Sequence, residues 1–279
     1  MKDRAVSEDV SPTAYATGYF WHRHGLSHPG LLIPEGKRYD RGFQLLMASL
    51  RVFGVHFDAL MLARHLGIDT LLARRIESGE VTQVVELAAG LSPRGWRFCK
   101  RFPKLAYIET DLPHMATLKR RLLEASRLGS RLHRVETVDV LRDDGPGSLS
   151  QLAATLDGKG GVAIITEGLM SYLDPPTARD VWRRIAAALK GFPQGVYYSD
   201  SYVKTDRYGL AGKFFRGVVQ RVVGGKMHIH FATPEDADGI LRAAGFAKVT
   251  LHRPDSIPET RQYAEKRGGN RVRILEALV

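Results

Sequence analysis

From Val81 to Val279 the chain alternates short β-branched runs with amphipathic helical stretches. That alternation restricts the fold more than any other feature, because strands separated by helices form a mostly parallel sheet covered on both faces. The runs are 81–87 (VTQVVEL), 105–111 (LAYIETD), 133–140 (HRVETVDV), 161–168 (GVAIITEG) and 195–203 (GVYYSDSYV). Between them, Met115, Leu118 and Leu122 recur at helical spacing, as do Trp182, Ile185 and Leu189. Thr233 reads as a helix N-cap, with Gly245 ending that helix, and a helical insertion is expected near 208–223. The last two runs, 247–253 and 271–279, leave no room for a helical crossover. Their connection, 254–270, is rich in Pro, Gly and charge, so the last strand should return antiparallel. The expectation is a Rossmann-like α/β fold with a seven-stranded, mostly parallel sheet. Residues 1–80 read as a helical N-terminal cap, with Met61, His65, Ile68, Leu72 and Ile76 on one helix face, and residues 81–279 as the ligand-binding domain.

Composition closes off other classes. Among 279 residues, 44% are hydrophobic and 25% charged, which excludes disorder and fibrous folds. The single cysteine, Cys99, excludes an internal disulfide, thiolate zinc clusters and iron–sulfur sites. The N-terminus lacks the apolar core of a signal peptide, and no apolar stretch has the length of a membrane span; a cytoplasmic location is expected.

A doubly wound sheet binds its ligand at the carboxyl ends of its strands. The first run leads into Glu86-Leu87-Ala88-Ala89-Gly90, whose small residues admit a ligand close to the backbone. The second ends in Asp111, 21 positions after Gly90, where a carboxylate can accept hydrogen bonds from both ribose hydroxyls. The third ends in Asp139-Val140, a candidate adenine contact. The fourth runs into Glu167-Gly168; a Glu closing an apolar strand needs a partner, and a cationic ligand would serve.

Four stretches in this order carry a family resemblance: Ala63–Asp69 (ARHLGID), 84–98 (VVELAAGLSPRGWRF), 107–113 (YIETDLP) and 165–173 (ITEGLMSYL). Together they resemble the leucine carboxyl methyltransferase family, which also contains tetracenomycin-type polyketide O-methyltransferases. The resemblance implies the class I methyltransferase fold, S-adenosyl-L-methionine as cofactor and methyl transfer to a hydroxyl or carboxylate of a small molecule. It also implies roles: Arg64 for the methionine carboxylate, Glu86, Ala88 and Gly90 beneath the cofactor, Asp111 for the ribose, Asp139 and Val140 for the adenine, and Glu167 for the amino group. The family commonly reads L-G-A-G-x-D-x-R after the first strand. Here Ala88 replaces the first Gly and Ser92 the Asp.

The catalytic group is left open. Tyr19, His22, His24, Tyr172 and Tyr202 are candidates for an acceptor pocket, with the aromatic-rich segment 197–208 as its cover. No metal site is assigned to the histidines, because no suitably spaced carboxylate accompanies them. The chain carries a formal charge of +11. Between Arg94 and Arg134, 11 basic residues face three acidic ones. A solvated face of two helices accounts for this, and a track for RNA or an acidic partner is the alternative. RNA modification, protein-carboxyl methylation and a catalytically silent interaction module are the competing functional readings. The acceptor's identity and the oligomeric state are not legible.

Overall fold

A computed structural model describes residues 11–52, 56–204 and 227–279. The expected insertion near 208–223 and the later part of the aromatic-rich segment lie outside the described residues.

Three helices precede the sheet: α1 (Ser11–Arg23), α2 (Gly36–Val52) and α3 (Phe57–Glu77). Alternation then begins with β1 (Gln83–Leu87), α4 (Arg94–Arg101), β2 (Ala106–Asp111), α5 (Pro113–Ala125) and β3 (His133–Thr137). It continues through α6 (Leu149–Ala153), β4 (Val162–Thr166), α7 (Pro175–Leu189) and β5 (Gly195–Ser201). The chain ends with α8 (Pro234–Ala244), β6 (Lys248–His252) and β7 (Arg273–Leu278).

The seven strands lie in the order β3-β2-β1-β4-β5-β7-β6. The first five pair in parallel, whereas β7 runs antiparallel to both β5 and β6. The expected fold class is therefore the observed one, with β7 inserted between β5 and β6. The strand order reverses between β1 and β4, which makes their carboxyl ends the ligand-binding crevice of such a sheet. Strands β1 and β4 are buried at every position, as a central strand covered on both faces requires. One core, with Val85, Ile164, Trp182 and Phe246, fills one side of the sheet; the other, with Ile68, Leu72, Tyr107 and Tyr198, lies beneath α3.

Local signals set the helix ends. The Thr233 side chain accepts from the Asp236 N–H at 3.2 Å, and Gly245 adopts φ 114° to close α8. The Asp174 side chain likewise accepts from the Thr177 N–H at 2.9 Å, and Pro175 opens α7. Gly67 lets α3 sit directly on β7: a Cβ there would lie 2.6 Å from Ile274. That close seating brings Arg64 and His65, one turn earlier on α3, to the strand ends.

Candidate functional site

The turn after β1 is a tight loop under the N-terminal helix. Ala88 (φ 51°) and Gly90 (φ 53°) both lie in the left-handed region. The Ala89 N–H donates to the Thr110 carbonyl at 2.8 Å, tying the turn to β2. Asp111 then holds the loop. Its carboxylate accepts from the Gly90 N–H at 2.7 Å and from the Leu112 N–H at 2.8 Å. Burial pushes the Asp111 carboxyl upward, against the pull of those two donors. A Cβ on Gly90 would come within 3.4 Å of Ala14, so α1 covers this turn. Asp139 lies two residues beyond the end of β3, in a turn where its Oδ1 accepts from the Leu141 N–H at 2.9 Å. Val140 beside it is half-buried against the core.

At the switch point the acids converge on two arginines. Arg94, the first residue of α4, is fully buried. Its Nε donates to Asp69 at 2.6 Å, its Nη1 to Glu86 at 2.5 Å and its Nη2 to Glu167 at 2.5 Å. Tyr107 donates to the other Glu86 oxygen at 2.7 Å. Arg64 donates from Nε to Glu167 at 3.0 Å and from Nη1 to Asp200 at 3.4 Å. Its Nη2 lies against Gly168, where a Cβ would sit at 3.3 Å. Gly168 itself has φ 69°, and its N–H donates to Asp200 at 2.7 Å.

Electrostatics follow from this packing. Burial alone would raise the Glu167 carboxyl, but His65, Arg94 and Arg64 hold it well below the usual carboxylate range. Asp69 is likewise held down at about 2, against burial, by Arg97, His65 and Arg94. Burial lowers the His65 ring and keeps it neutral. Its Nδ1–H then points at Glu167 at 2.8 Å while Nε2 accepts from Arg97 at 2.6 Å. Asp200, with less compensation, is pushed up by burial. Among the described residues, four carboxylates (Asp69, Glu86, Glu167, Asp200) face three guanidiniums (Arg64, Arg94, Arg97) in this cluster. Fully ionised, it carries one negative charge in excess.

A small, partly open cavity lies beside the cluster, at the carboxyl ends of β4 and β5. Asp200 belongs to both. Ser171, Ser201, Tyr202, His228 and His230 line the cavity as well. Of the acceptor-pocket candidates, Tyr202 lines this space and Tyr172 lies next to Ser171, where burial raises its hydroxyl. The other three sit in the N-terminal helical layer. Tyr19 packs across Gly36, His22 bonds the Ser27 carbonyl at 3.2 Å, and His24 meets the Phe20 ring at 4.5 Å between centroids.

The basic stretch 94–134 is not one charged face. Arg94 and Arg97 are inside the cluster, and Lys119 is buried with its Nζ 2.7 Å from Glu109. His133 shares that carboxylate at 3.1 Å. The remaining charges, such as Arg121, Arg127 and Arg131, are exposed on α5 and the segment leading to β3.

The model of one family, described as leucine carboxyl methyltransferase, matches residues 40–186. The chain belongs to the leucine carboxyl methyltransferase family. A protein of Mycolicibacterium smegmatis, provisionally named an S-adenosyl-L-methionine-dependent methyltransferase, is 36% identical over 129 residues, 46% of this chain and 42% of that protein. One from Frankia alni with the same provisional name is 41% identical over 101 residues, 36% of this chain and 31% of that protein. The chain thus matches less than half the length of these curated relatives. Among solved structures, a protein of Bordetella parapertussis superposes with a TM-score of 0.55 at 15% identity, covering 94% of this chain and 78% of that one. Magnesium protoporphyrin IX methyltransferase of Synechocystis, solved with S-adenosylhomocysteine, gives 0.50 at 14% identity, covering 79% and 85%. Such likenesses establish the fold.

Within this leucine carboxyl methyltransferase framework, several cluster members escaped the sequence reading. Arg94 aligns with the arginine that ends the family's L-G-A-G-x-D-x-R pattern, yet its place in the basic stretch 94–134 reads as surface charge. Asp200 closes the apolar strand β5 just as Glu167 follows β4, so the strand-end rule applied to it equally. His65 and Asp69 occupy successive turns of one face of α3, inside the stretch ARHLGID. Ser201 and His230 carried no signal of their own.

Proposed function

We propose that this chain is an S-adenosyl-L-methionine-dependent O-methyltransferase acting on a small molecule. The observation that carries this reading is the strand-end cluster with its single excess negative charge. The cofactor has an ammonium, a sulfonium and one carboxylate, hence one net positive charge, and the cluster is its complement. The donor set fits the remaining groups. Arg64 would take the methionine carboxylate, since among the described residues two of its five N–H donors bond Glu167 and Asp200. Glu167 and Asp200 would face the ammonium. Asp111, already oriented by two backbone N–H groups, would accept from the ribose hydroxyls, with Asp139 and Val140 toward the adenine. Glu86, Ala88 and Gly90 form the floor.

When bound, the cofactor supplies an electrophilic methyl group. The protein's own work is to place an acceptor oxygen in line with that methyl, exclude water and dispose of a proton. The cavity shared through Asp200 is where the acceptor would sit. RNA as acceptor draws no support from the buried Arg94 and Lys119, which subtract from the basic track.

Calorimetric titration with S-adenosylhomocysteine, with NAD as control, tests the reading. Binding on the order of micromolar for the first and none for the second is expected. A folded protein that binds neither would overturn it.

A further inference from the structure

The cavity at the ends of β4 and β5 contains polar valences that the fold does not fill. His230 is pinned in place. The segment around it pairs with the chain just past β5 through an isolated bridge between Val203 and Phe231, the His228 N–H donates to the Ser171 carbonyl at 2.7 Å, and the Trp182 ring meets the imidazole edge-on at 5.3 Å. His230 Nε2 lies 2.8 Å from the Met170 carbonyl. A carbonyl only accepts, so Nε2 carries the proton and Nδ1 of the neutral ring is a bare acceptor. Among the described residues that Nδ1 is buried with no hydrogen-bond partner, and so are the Ser201 hydroxyl oxygen and the Trp182 indole N–H, all three on residues of the cavity wall. Burying such groups unmet is costly, and a ligand that bonds them recovers that cost.

The three groups fit one kind of partner. A hydroxyl can donate to Nδ1 and accept from Ser201 or Trp182 at the same time. A carboxylate could accept from those two donors but would leave Nδ1 unmet, and it would be set against the Asp200 carboxylate in the same wall. An imidazole base suits a hydroxyl of phenolic or enolic acidity, which gives up its proton near neutral pH more readily than an alcohol does. We infer that His230 is the general base of this site, and that the acceptor is an aromatic or enolic hydroxyl, not a carboxylate. The inference rests on the methyltransferase reading above. In the step it assigns, the acceptor O–H proton passes to Nδ1 as the oxygen–methyl bond forms. The carbon–sulfur bond breaks with its electron pair on sulfur, leaving neutral S-adenosylhomocysteine and an imidazolium that later loses its proton to solvent.

The surroundings keep the base free at neutral pH. Burial lowers the His230 ring, and His228 on its own segment and Arg179 of α7 act in the same direction. The Met170 carbonyl and Asp174, at the start of α7, oppose them; Asp200 of β5 is the other charged group in the cavity wall. The folded pKa therefore lies below the ordinary histidine value.

The test compares 2-naphthol with 2-naphthoate by calorimetry on protein saturated with S-adenosylhomocysteine, in wild type and His230→Gln. Glutamine can still donate to the Met170 carbonyl but offers nothing at Nδ1. Wild type should bind the naphthol at least about tenfold more tightly than the naphthoate, and the variant should lose that preference. The His230 ring resonances should shift on addition of the naphthol alone. With active cofactor, methyl transfer should fall as pH drops through the histidine range in wild type and show no such limb in the variant. Equal binding of the two probes, or a preference that survives His230→Gln, would overturn the assignment of His230. Absence of S-adenosylhomocysteine binding would instead overturn the methyltransferase reading itself. Ser201→Ala, a smaller change, should weaken the naphthol without touching S-adenosylhomocysteine affinity.

Discussion

The charge cluster beneath the switch point and the cavity beside it share Asp200 but are built on opposite terms. In the cluster, every Arg94 nitrogen reaches an acceptor and each carboxylate has a cation or N–H against it, so that the spare capacity is confined to Arg97 Nε and the outer donors of Arg64. In the cavity, a histidine nitrogen, a serine hydroxyl and an indole N–H are left unmet. A saturated buried network stiffens a scaffold, and an unsaturated one waits for a ligand. The difference separates residues that hold the site in shape from residues that meet what enters it.

The largest effect should come from removing the hub. Arg94→Met leaves Glu86, Asp69 and Glu167 buried around an apolar side chain. Breaking a buried ion pair from one side costs about 3–5 kcal/mol, and here three acids lose one partner. Urea unfolding should show a loss of that size or an unfolded product. A variant within 1 kcal/mol of wild type, as a rough bound on experimental scatter, would mean the network is not the rigid half of the comparison.

Acid should attack the same half next. Asp69 has a folded pKa of about 2, depressed below its unfolded value, so its contribution is complete above the unfolded pKa. It is lost as pH falls through about 4 toward 2. Glu276, held at about 2 against burial by His252 and Arg75 at the β7 edge, adds to the same limb. Each is worth on the order of 2 kcal/mol. Asp69→Asn should be less stable at pH 7 and show a shallower acid limb. An unchanged slope in that variant would remove Asp69 from the pH response.

Ligand-binding loss should be felt at the turn between the two regions. Asp111→Ala removes the acceptor for two backbone N–H groups and the proposed ribose contact. S-adenosylhomocysteine affinity should drop by roughly tenfold or more, about 1.4 kcal/mol, with circular dichroism unchanged. Unchanged affinity in a folded variant would take Asp111 out of the binding site. Arg64→Ala, tested in the same way, separates a cofactor contact from a purely internal partner of Glu167 and Asp200.

Much of this was legible before any coordinates. Parallel strands need helical crossovers, so the alternation after Val81 shows up as periodicity, and the short Pro/Gly-rich link before the last run revealed β7's direction. Asp111 and Glu167 were legible because a strand end is a position, and position can be counted. Arg94 was not. Charge within a basic run looks the same in sequence whether it faces water or three carboxylates, and only the packing of α4 against β1 and α3 decides. His230 was illegible for a related reason. Its meaning lies in which nitrogen the Met170 carbonyl occupies, a contact across 60 residues that no spacing encodes. The acceptor candidates from the N-terminal helices, Tyr19, His22 and His24, were drawn from residue type alone. The fold spends them on contacts within that layer.

The smallest expected effect tests where the strain belongs. Ala88 holds φ 51°, a conformation an alanine side chain resists and a glycine accepts, at the position where the family commonly has glycine. Ala88→Gly should therefore stabilise the fold by about 1 kcal/mol, since the relief of the left-handed backbone outweighs the added freedom of the unfolded chain. Thermal or urea unfolding measures the gain. The same variant titrated with S-adenosylhomocysteine then divides two explanations. If affinity is unchanged, Ala88 is a tolerated drift in a loop held by Asp111, and the strain is independent of binding. If stability rises while affinity falls, the methyl group helps to shape the floor of the pocket, and the rigid half of the site extends through this turn to the ligand.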